Sequence, residues 1–103
     1  MLIYNSTYFV PNNLKAQFLR WMRDFRLPAV AEQGILANPR VTRVISVEQD
    51  DQTAYALQVE AADEQQLNQW KKDHENAVLQ HLYTTFSKQI MCFSTTMEVL
   101  FEK

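Results

Sequence analysis

The stretch LIYNSTYFV, residues 2–10, is typical of a β-strand because it is rich in aromatic and β-branched residues. Successive side chains of a strand point to opposite faces of its sheet. One face of this strand carries Tyr4, Ser6, Tyr8 and Val10. The other face carries Ile3, Asn5, Thr7 and Phe9. Neither face is wholly apolar or wholly polar, which raises the question of what lies against the second one.

A helix is predicted after this strand, because apolar residues recur there at helical spacing. The residues that share its predicted buried face are Leu14, Phe18, Trp21, Met22 and Phe25. Asn12 or Asn13 can cap the start of this helix. Pro28 disfavours helical geometry at Leu27 and can open a short second helix through Gln33. Gly34, the single glycine, then fits a helix end that needs a positive φ angle.

The rest of the chain predicts a hairpin, a helix and a last strand. A turn at Asn38-Pro39 precedes a β-rich run over residues 41–48, and the run TAYALQVEA follows it closely enough to form a hairpin. Asp63 can cap a helix that begins near Glu64 and extends to about Phe86, with a break near residues 73–75. In the final stretch, QIMCFSTTMEVLF, the bulky residues are expected to face the helices. Those residues are Met91, Phe93, Thr95, Met97 and Val99.

The predicted element order, strand–helix–strand–strand–helix–strand, is the α+β ferredoxin-like βαββαβ pattern. Two helices would cover one face of a four-stranded antiparallel sheet. The uncovered face would then collect Asn5, Thr7, Ala54, Ala56, Gln58, Cys92, Ser94 and Thr96. A mixed face of this kind is expected to pair with the same face of a second copy, as a dimeric α/β barrel. The sheet of the second copy is therefore predicted to lie against Asn5 and Thr7.

Composition limits the classes of function. The 103 residues fit one domain, 1–103, and the net charge of −2 with a pI near 5.6 argues against nucleic-acid binding. No apolar run approaches the roughly 20 residues of a membrane span, and no secretory signal is visible. Cys92 is the single cysteine, so a reducing cytoplasm is expected.

Basic residues concentrate in the first helical region, where Arg20, Arg23 and Arg26 recur every third residue. An anion site on this helix is one interpretation, and an ordinary solvated face is the favoured one. His74 and His81 would lie about 10 Å apart along a continuous helix, too far to share one metal ion. No metal or cofactor is therefore expected. Cys92 lacks a basic neighbour in sequence, so it is interpreted as a packing residue.

Small polar residues on the face opposite the helices are the candidate ligand-binding residues. They are Asn5, Thr7, Gln58, Ser94 and Thr96. Amide and hydroxyl groups in this pattern can orient a small, partly apolar molecule between the paired sheets. The alternative interpretation, which we favour because these residues include no strong acid or base, is that they only line a dimer interface. Catalytic residues cannot be assigned from the sequence.

The stretches IYNST, FLRWMRDFRLPAVAEQG and MCFSTTMEVL resemble an uncharacterised bacterial family, domain of unknown function four-two-eight-six. That family looks like part of the dimeric α/β-barrel superfamily, which includes cofactor-independent monooxygenases, isomerases, haem enzymes and small-molecule sensors. Where the family usually has a basic residue after the aromatic of the last strand, this chain has Ser94. The resemblance implies a fold and a homodimer but transfers no catalytic residues.

Three functional hypotheses follow. The first is a homodimeric, cytoplasmic protein that binds a small molecule without an assigned activity. The second is a cofactor-independent monooxygenase or isomerase acting on a small aromatic or polyketide-like substrate. The third is a structural or interaction module.

Overall fold

A computed structural model describes the backbone of residues 1–103 and every side chain except those of Val47 and Glu48. Four strands form one antiparallel sheet in the order β2-β3-β1-β4. The strands are β1 (Leu2–Pro11), β2 (Ala37–Glu48), β3 (Gln52–Ala61) and β4 (Met91–Glu98). The long first and third strands lie at the centre, paired without a break from Leu2–Ala61 to Pro11–Gln52.

Two helical arms connect these strands, and each arm is interrupted by a wider π-helical turn. The first arm contains a short 3-10 turn (Asn12–Leu14), α1 (Lys15–Trp21), a π segment (Met22–Arg26) and α2 (Leu27–Gln33). The second arm contains α3 (Glu64–Trp70), a π segment (Lys71–Glu75) and α4 (Asn76–Phe86). Both arms contribute to cores on one face of the sheet, so the predicted α+β ferredoxin-like fold is confirmed.

Two of the predicted helix signals act as expected. The Asp63 carboxylate accepts a hydrogen bond from the backbone N–H of Gln66 at 2.8 Å, which satisfies a donor at the start of α3. Gly34 ends α2 with a φ of 68°, a left-handed conformation that glycine adopts without a Cβ penalty.

Three local predictions are wrong. Asn12 does not cap α1, because its amide donates to the Asp50 carbonyl and accepts from the Thr53 hydroxyl, tying the helix entry to the β2–β3 turn. Pro28 opens the second helix, which ends at Gln33 as predicted, but Leu27 before it keeps helical angles (φ −65°, ψ −47°) instead of leaving the helix. The predicted turn at Asn38 is an irregularity within β2, with a φ of 50° at Asn38 and a register shift beside it.

The helix-covered face of the sheet carries two separate apolar cores. The first core consists of Tyr8, Val10, Phe18, Trp21, Met22, Tyr55, Leu57, Leu82, Phe86 and Ile90. The second core consists of Leu2, Tyr4, Val30, Leu36, Val59, Ala61, Leu67 and Trp70. Along β1, Ser6 lies between the residues of the two cores.

The predicted orientation of β4 is wrong. Residues paired across neighbouring antiparallel strands point to the same side of the sheet, and β1 pairs Tyr8 with Cys92, Ser6 with Ser94 and Tyr4 with Thr96. These β4 residues therefore point toward the helices. β4 is an edge strand whose side chains are mostly exposed on both faces, so their bulk does not reveal which face meets the core.

The opposite face of the sheet is not covered by helices, and we call it the open face. Asn5, Thr7, Ala56 and Gln58 lie on it as predicted, since Thr7 pairs with Ala56 and Asn5 with Gln58. The bulky side of β4 joins them, and Phe93 stacks on Phe9 with 5.8 Å between ring centroids. Within the described residues, no helix has the length and apolar character needed to cross a bilayer.

Candidate functional site

A cavity of about 270 Å³ lies between the two cores, bounded by the sheet and both helical arms. The residues that line it are Tyr4, Ser6, Tyr8, Arg26, Trp70, Lys71, Glu75, Val78, Leu79, Cys92, Phe93 and Ser94. Apolar and aromatic walls with a few converging polar groups are typical of small-molecule sites, and this volume lies just below their usual range of about 300–1,000 Å³. We call this space the β4 cavity.

The two π segments place the charged side chains of the β4 cavity. Arg26 is the last residue of the first π segment, and Lys71 and Glu75 begin and end the second. A π turn holds more residues than an α turn, so each residue advances less around the axis. In a regular helix Arg26 would lie at the flank of the apolar stripe. The wider turn moves it inward, where it is 4% exposed, and moves Phe25 outward, where it is 39% exposed.

Arg26 is a buried cation without a hydrogen-bonding partner for two of its nitrogens. Its Cζ lies 5.5 Å from the centroid of the Trp70 ring, in cation–π range. Among the side chains that the structure describes, none accepts a hydrogen bond from Nε or Nη1 of Arg26, and both atoms are shielded from solvent. Leaving buried charged donors unpaired is unfavourable, which marks this position for a functional explanation.

Tyr4 and Glu75 form a second polar group in the cavity. The Tyr4 hydroxyl donates a hydrogen bond to Glu75 Oε2, and the Lys71 ammonium lies 5.3 Å from the Tyr4 ring centroid. Burial first, and then the bond to Glu75, raise the pKa of Tyr4 to about 12. Tyr4 therefore remains a phenol at neutral pH, and the Glu75 carboxylate is already engaged by it.

The sheet side of the cavity is lined by short polar groups. Ser6 Oγ and Ser94 Oγ lie 3.0 Å apart. Burial raises the pKa of Tyr8 to about 12 and that of Cys92 to about 11. The Cys92 thiol is therefore protonated at neutral pH and lacks the thiolate character of a nucleophile.

The predicted ligand-binding residues separate into two groups. Asn5 donates to the Thr7 hydroxyl at 3.0 Å, and Gln58 Oε1 accepts from Arg40 at 2.6 Å, so each of these groups already has a partner within its own chain. Ser94 lines the β4 cavity, and Thr96 lies on the same side of β4 outside the residues that line it.

The histidines lie away from the β4 cavity lining. His81 Nδ1 accepts a hydrogen bond from Trp21 Nε1 at 2.8 Å, and its ring stacks on Phe25 at 3.9 Å. His74 packs near Trp70, with 6.1 Å between ring centroids. Within the part of the chain that the structure describes, no group of three or more His, Cys, Asp or Glu side chains could hold a metal ion.

The sequence does not predict Arg26, Glu75 and Tyr4 as a site. The basic repeat was noticed, but its members have different fates, since Arg23 pairs with Asp24 at 2.8 Å on the surface while Arg26 is buried. The sequence gives only a weak signal for Arg26: it follows Met22 by four residues, as Met22 follows Phe18, and this row drifts to the flank of the buried face.

Comparison with known proteins assigns the family. Residues 1–100 match the model of a domain of unknown function (DUF4286), and the chain belongs to this family. No curated protein matches the chain.

Solved structures share the fold at low sequence identity. The chain is similar to an antibiotic biosynthesis monooxygenase (TM-score 0.68, 15% identity), with 97% of this chain and 99% of that one covered. It is similar to HapK from Hahella chejuensis (TM-score 0.70, 14% identity), with 100% and 96% covered. A dimeric ferredoxin-like protein from an uncultured marine organism has a TM-score of 0.61 at 13% identity, with both chains fully covered. At such identities the likeness establishes the fold alone.

Proposed function

We propose that this protein binds a small organic molecule in the β4 cavity. The observation that carries the proposal is the convergence of polar groups from the sheet and both helical arms on one cavity with aromatic walls. Tyr4 and Trp70 form one end, with ring centroids 6.2 Å apart, and Ser6 and Ser94 supply hydroxyl groups between the two cores. Such groups fix a ligand's orientation, while the apolar walls supply most of the contact area.

The molecule is also proposed to be a homodimer that pairs its open faces. Met91, Phe93 and Met97 are 72%, 53% and 41% exposed there, and large exposed apolar patches mark interaction surfaces. The occupant proposed is a second copy, since an isologous contact requires only one surface. The dimeric ferredoxin-like neighbour supports this choice. A cytoplasmic location belongs to the same proposal because Cys92 has no cysteine partner within the chain.

A ligand between the paired sheets, held by Asn5, Thr7 and Gln58, stays a prediction. The hydrogen bonds that these groups already make, Asn5 with Thr7 and Gln58 with Arg40, favour an interface role for them over a ligand role.

A second candidate function is enzymatic, as an isomerase or cofactor-independent monooxygenase. The specific observation in its favour is the Glu75 carboxylate, held by Tyr4 beside the cavity, which is placed to accept a proton from a bound molecule. The monooxygenase among the structural neighbours is consistent with this candidate. It predicts turnover that Glu75→Gln abolishes without loss of binding.

Blocking the β4 cavity tests the binding proposal. Native mass spectrometry of freshly purified protein would detect a co-purified molecule, and ligand-observed NMR would measure binding of single-ring aromatic probes such as benzoate, benzamide and benzyl alcohol. Ser94→Trp places a large ring at the mouth of the cavity and should abolish binding. Thr96→Trp, two residues along the same exposed side of β4, is the matched control and should leave it intact.

Binding that Ser94→Trp removes and Thr96→Trp preserves supports the proposal. If the protein carries no small molecule and none of the probes binds, the proposal is wrong and the interaction-module hypothesis replaces it.

The dimer is tested by a charge on the open face. Thr95→Arg changes an exposed residue that pairs with Asn5, so the monomer fold should tolerate it, while association weakens by several kcal/mol because the charge is buried without a partner. Analytical ultracentrifugation measures the change. Thr96→Arg, on the other side of the strand, is the control. An unchanged dimer in Thr95→Arg would contradict pairing through this face.

A further inference from the structure

Two charged side chains of the β4 cavity, Glu75 and Arg26, differ in how far their hydrogen-bonding groups have partners. The Glu75 carboxylate accepts the Tyr4 hydroxyl, and it lies in a half-buried position. Arg26 is more deeply buried, and within the described residues its Nε and Nη1 have no acceptor. What the described site lacks is therefore an anionic acceptor for these two nitrogens.

Among the described side chains around Arg26, the Tyr8 hydroxyl is a neutral acceptor, and its interaction with the guanidinium lowers the Tyr8 pKa against the larger effect of burial. The groups around it are the Trp70 ring, which contacts the guanidinium face, the neutral Tyr8 phenol and the neutral Cys92 thiol. Of the described ion pairs, none involves Arg26. Lys71 adds a second positive charge at the cavity, so Arg26 and Lys71 together outweigh Glu75 by one unit.

We infer that the molecule bound in the β4 cavity is a small organic monoanion, and that its carboxylate pairs with Arg26. This inference rests on the proposed function and specifies the ligand class of the same site. A guanidinium offers donors in a plane that matches a carboxylate, and it remains charged at any physiological pH. A small anion also completes the charge balance of the cavity.

The walls limit what the carboxylate is attached to. Aromatic rings of Tyr4, Tyr8 and Trp70 line a volume of about 270 Å³, which suits a planar or short apolar body and leaves no room for a large one. The matching class is thus a small aromatic or unsaturated monocarboxylate, oriented with its charge toward Arg26.

Benzoate and benzamide test this inference, since they have the same size and shape and differ in charge. Calorimetry or NMR titration should give at least about 10-fold tighter binding of benzoate by the wild-type protein, the difference that a charge-assisted hydrogen bond makes. Arg26→Met should remove this preference while benzamide still binds. Arg26→Lys should retain part of it, because charge is kept and the planar donors are lost.

Two control variants separate the effect of Arg26 on benzoate binding from the effects of other basic residues, one at the cavity and one at the protein surface. Lys71→Gln should weaken benzoate binding less, and its contribution should fall with added salt because Lys71 is half-exposed. Arg23→Met removes a surface arginine paired with Asp24 and should change nothing.

The outcomes are distinguishable. Equal binding of benzoate and benzamide overturns the inference while the proposed function stands, and water would then be the partner of Arg26. Binding of neither probe, with no co-purified molecule, overturns the proposed function. A benzoate preference that survives in Arg26→Met places the charge recognition elsewhere and also overturns the inference.

Discussion

The two cores and the β4 cavity between them share one strand but follow opposite packing rules. On its helix-facing side β1 carries, in order, Leu2, Tyr4, Ser6, Tyr8 and Val10. Its ends are buried among apolar side chains, and Val10 is fully buried. Its middle carries a hydroxyl beside a buried, partly unpaired arginine. The close-packed apolar side chains lie at the ends of the strand, and the proposed binding site lies at its middle.

The difference between the cores and the cavity shows which parts of the molecule are packed for stability and which are not. Close packing of large apolar side chains stabilises a domain, whereas a cavity and a lone buried charge oppose it. Structures that keep such features do so at functional sites. We expect substitutions in the cores to change stability strongly and substitutions in the cavity to change it little.

The largest effect is expected in the first core. Phe18 is fully buried and contacts the rings of Tyr8, Tyr55 and Phe86. Phe18→Ala should lower the free energy of unfolding by about 3–5 kcal/mol, through lost burial and the cavity left behind. Urea unfolding followed by circular dichroism measures it. A loss below about 1 kcal/mol would mean that this core is not close-packed.

The next effect concerns the reactivity of Cys92. Burial raises the pKa of its thiol from 9.0 to about 11. The thiolate fraction near pH 8 should therefore be roughly 100-fold lower than in the unfolded chain, and alkylation by iodoacetamide slower by at least that factor. Mass spectrometry of timed samples, with and without urea, compares the two rates. Similar rates would show that the cavity is open to solvent.

Alkaline pH should destabilise the cavity region. Tyr4 and Tyr8 have pKa values raised from 10.0 to about 12, so the unfolded state loses their protons first. Stability from these groups is complete below pH 10 and is lost as the pH rises through 12. Urea titrations from pH 9 to 12 should show this decline, and the Tyr4→Phe/Tyr8→Phe variant should show a shallower one. An equal decline in that variant would assign the effect to other groups.

The smallest effect is expected at Arg26. Arg26→Met removes an unpaired buried charge and a cation–π contact with Trp70, terms of opposite sign, so the stability of the unliganded protein should stay within about 1 kcal/mol of wild type or rise. Thermal unfolding without ligand checks this. A loss above about 3 kcal/mol would make Arg26 a structural residue and erase the contrast with Phe18.

The fold could be predicted because its signals are local and repeated. Apolar spacing, the Asp63 cap and Gly34 each depend on a few neighbouring residues. The candidate site could not be predicted, because it depends on how β4 pairs with β1, and these strands are far apart in sequence. The pairing of Ser6 with Ser94 decides which side of β4 meets the cavity, and no pattern within an exposed edge strand reports it. Arg26 was missed because a regular helical repeat assigns it to the flank of the buried face.

A π turn can be regarded as an α-helix turn with one residue too many. The first π segment therefore bears on how this helix tolerates insertions and deletions, as well as on packing. The wider turn absorbs one residue, so Arg26 keeps the direction that it would have in a regular helix one residue shorter. We predict that deleting Asp24, an exposed residue within that segment, restores a regular turn and leaves Arg26 facing the cavity, because at about 100° per residue Arg26 then takes the place of Phe25 on the apolar stripe. Retained helical circular dichroism with an unchanged benzoate preference would verify it, and loss of the preference would refute it. A single codon gained or lost in this segment could therefore be absorbed as a change of turn without altering which residues line the site.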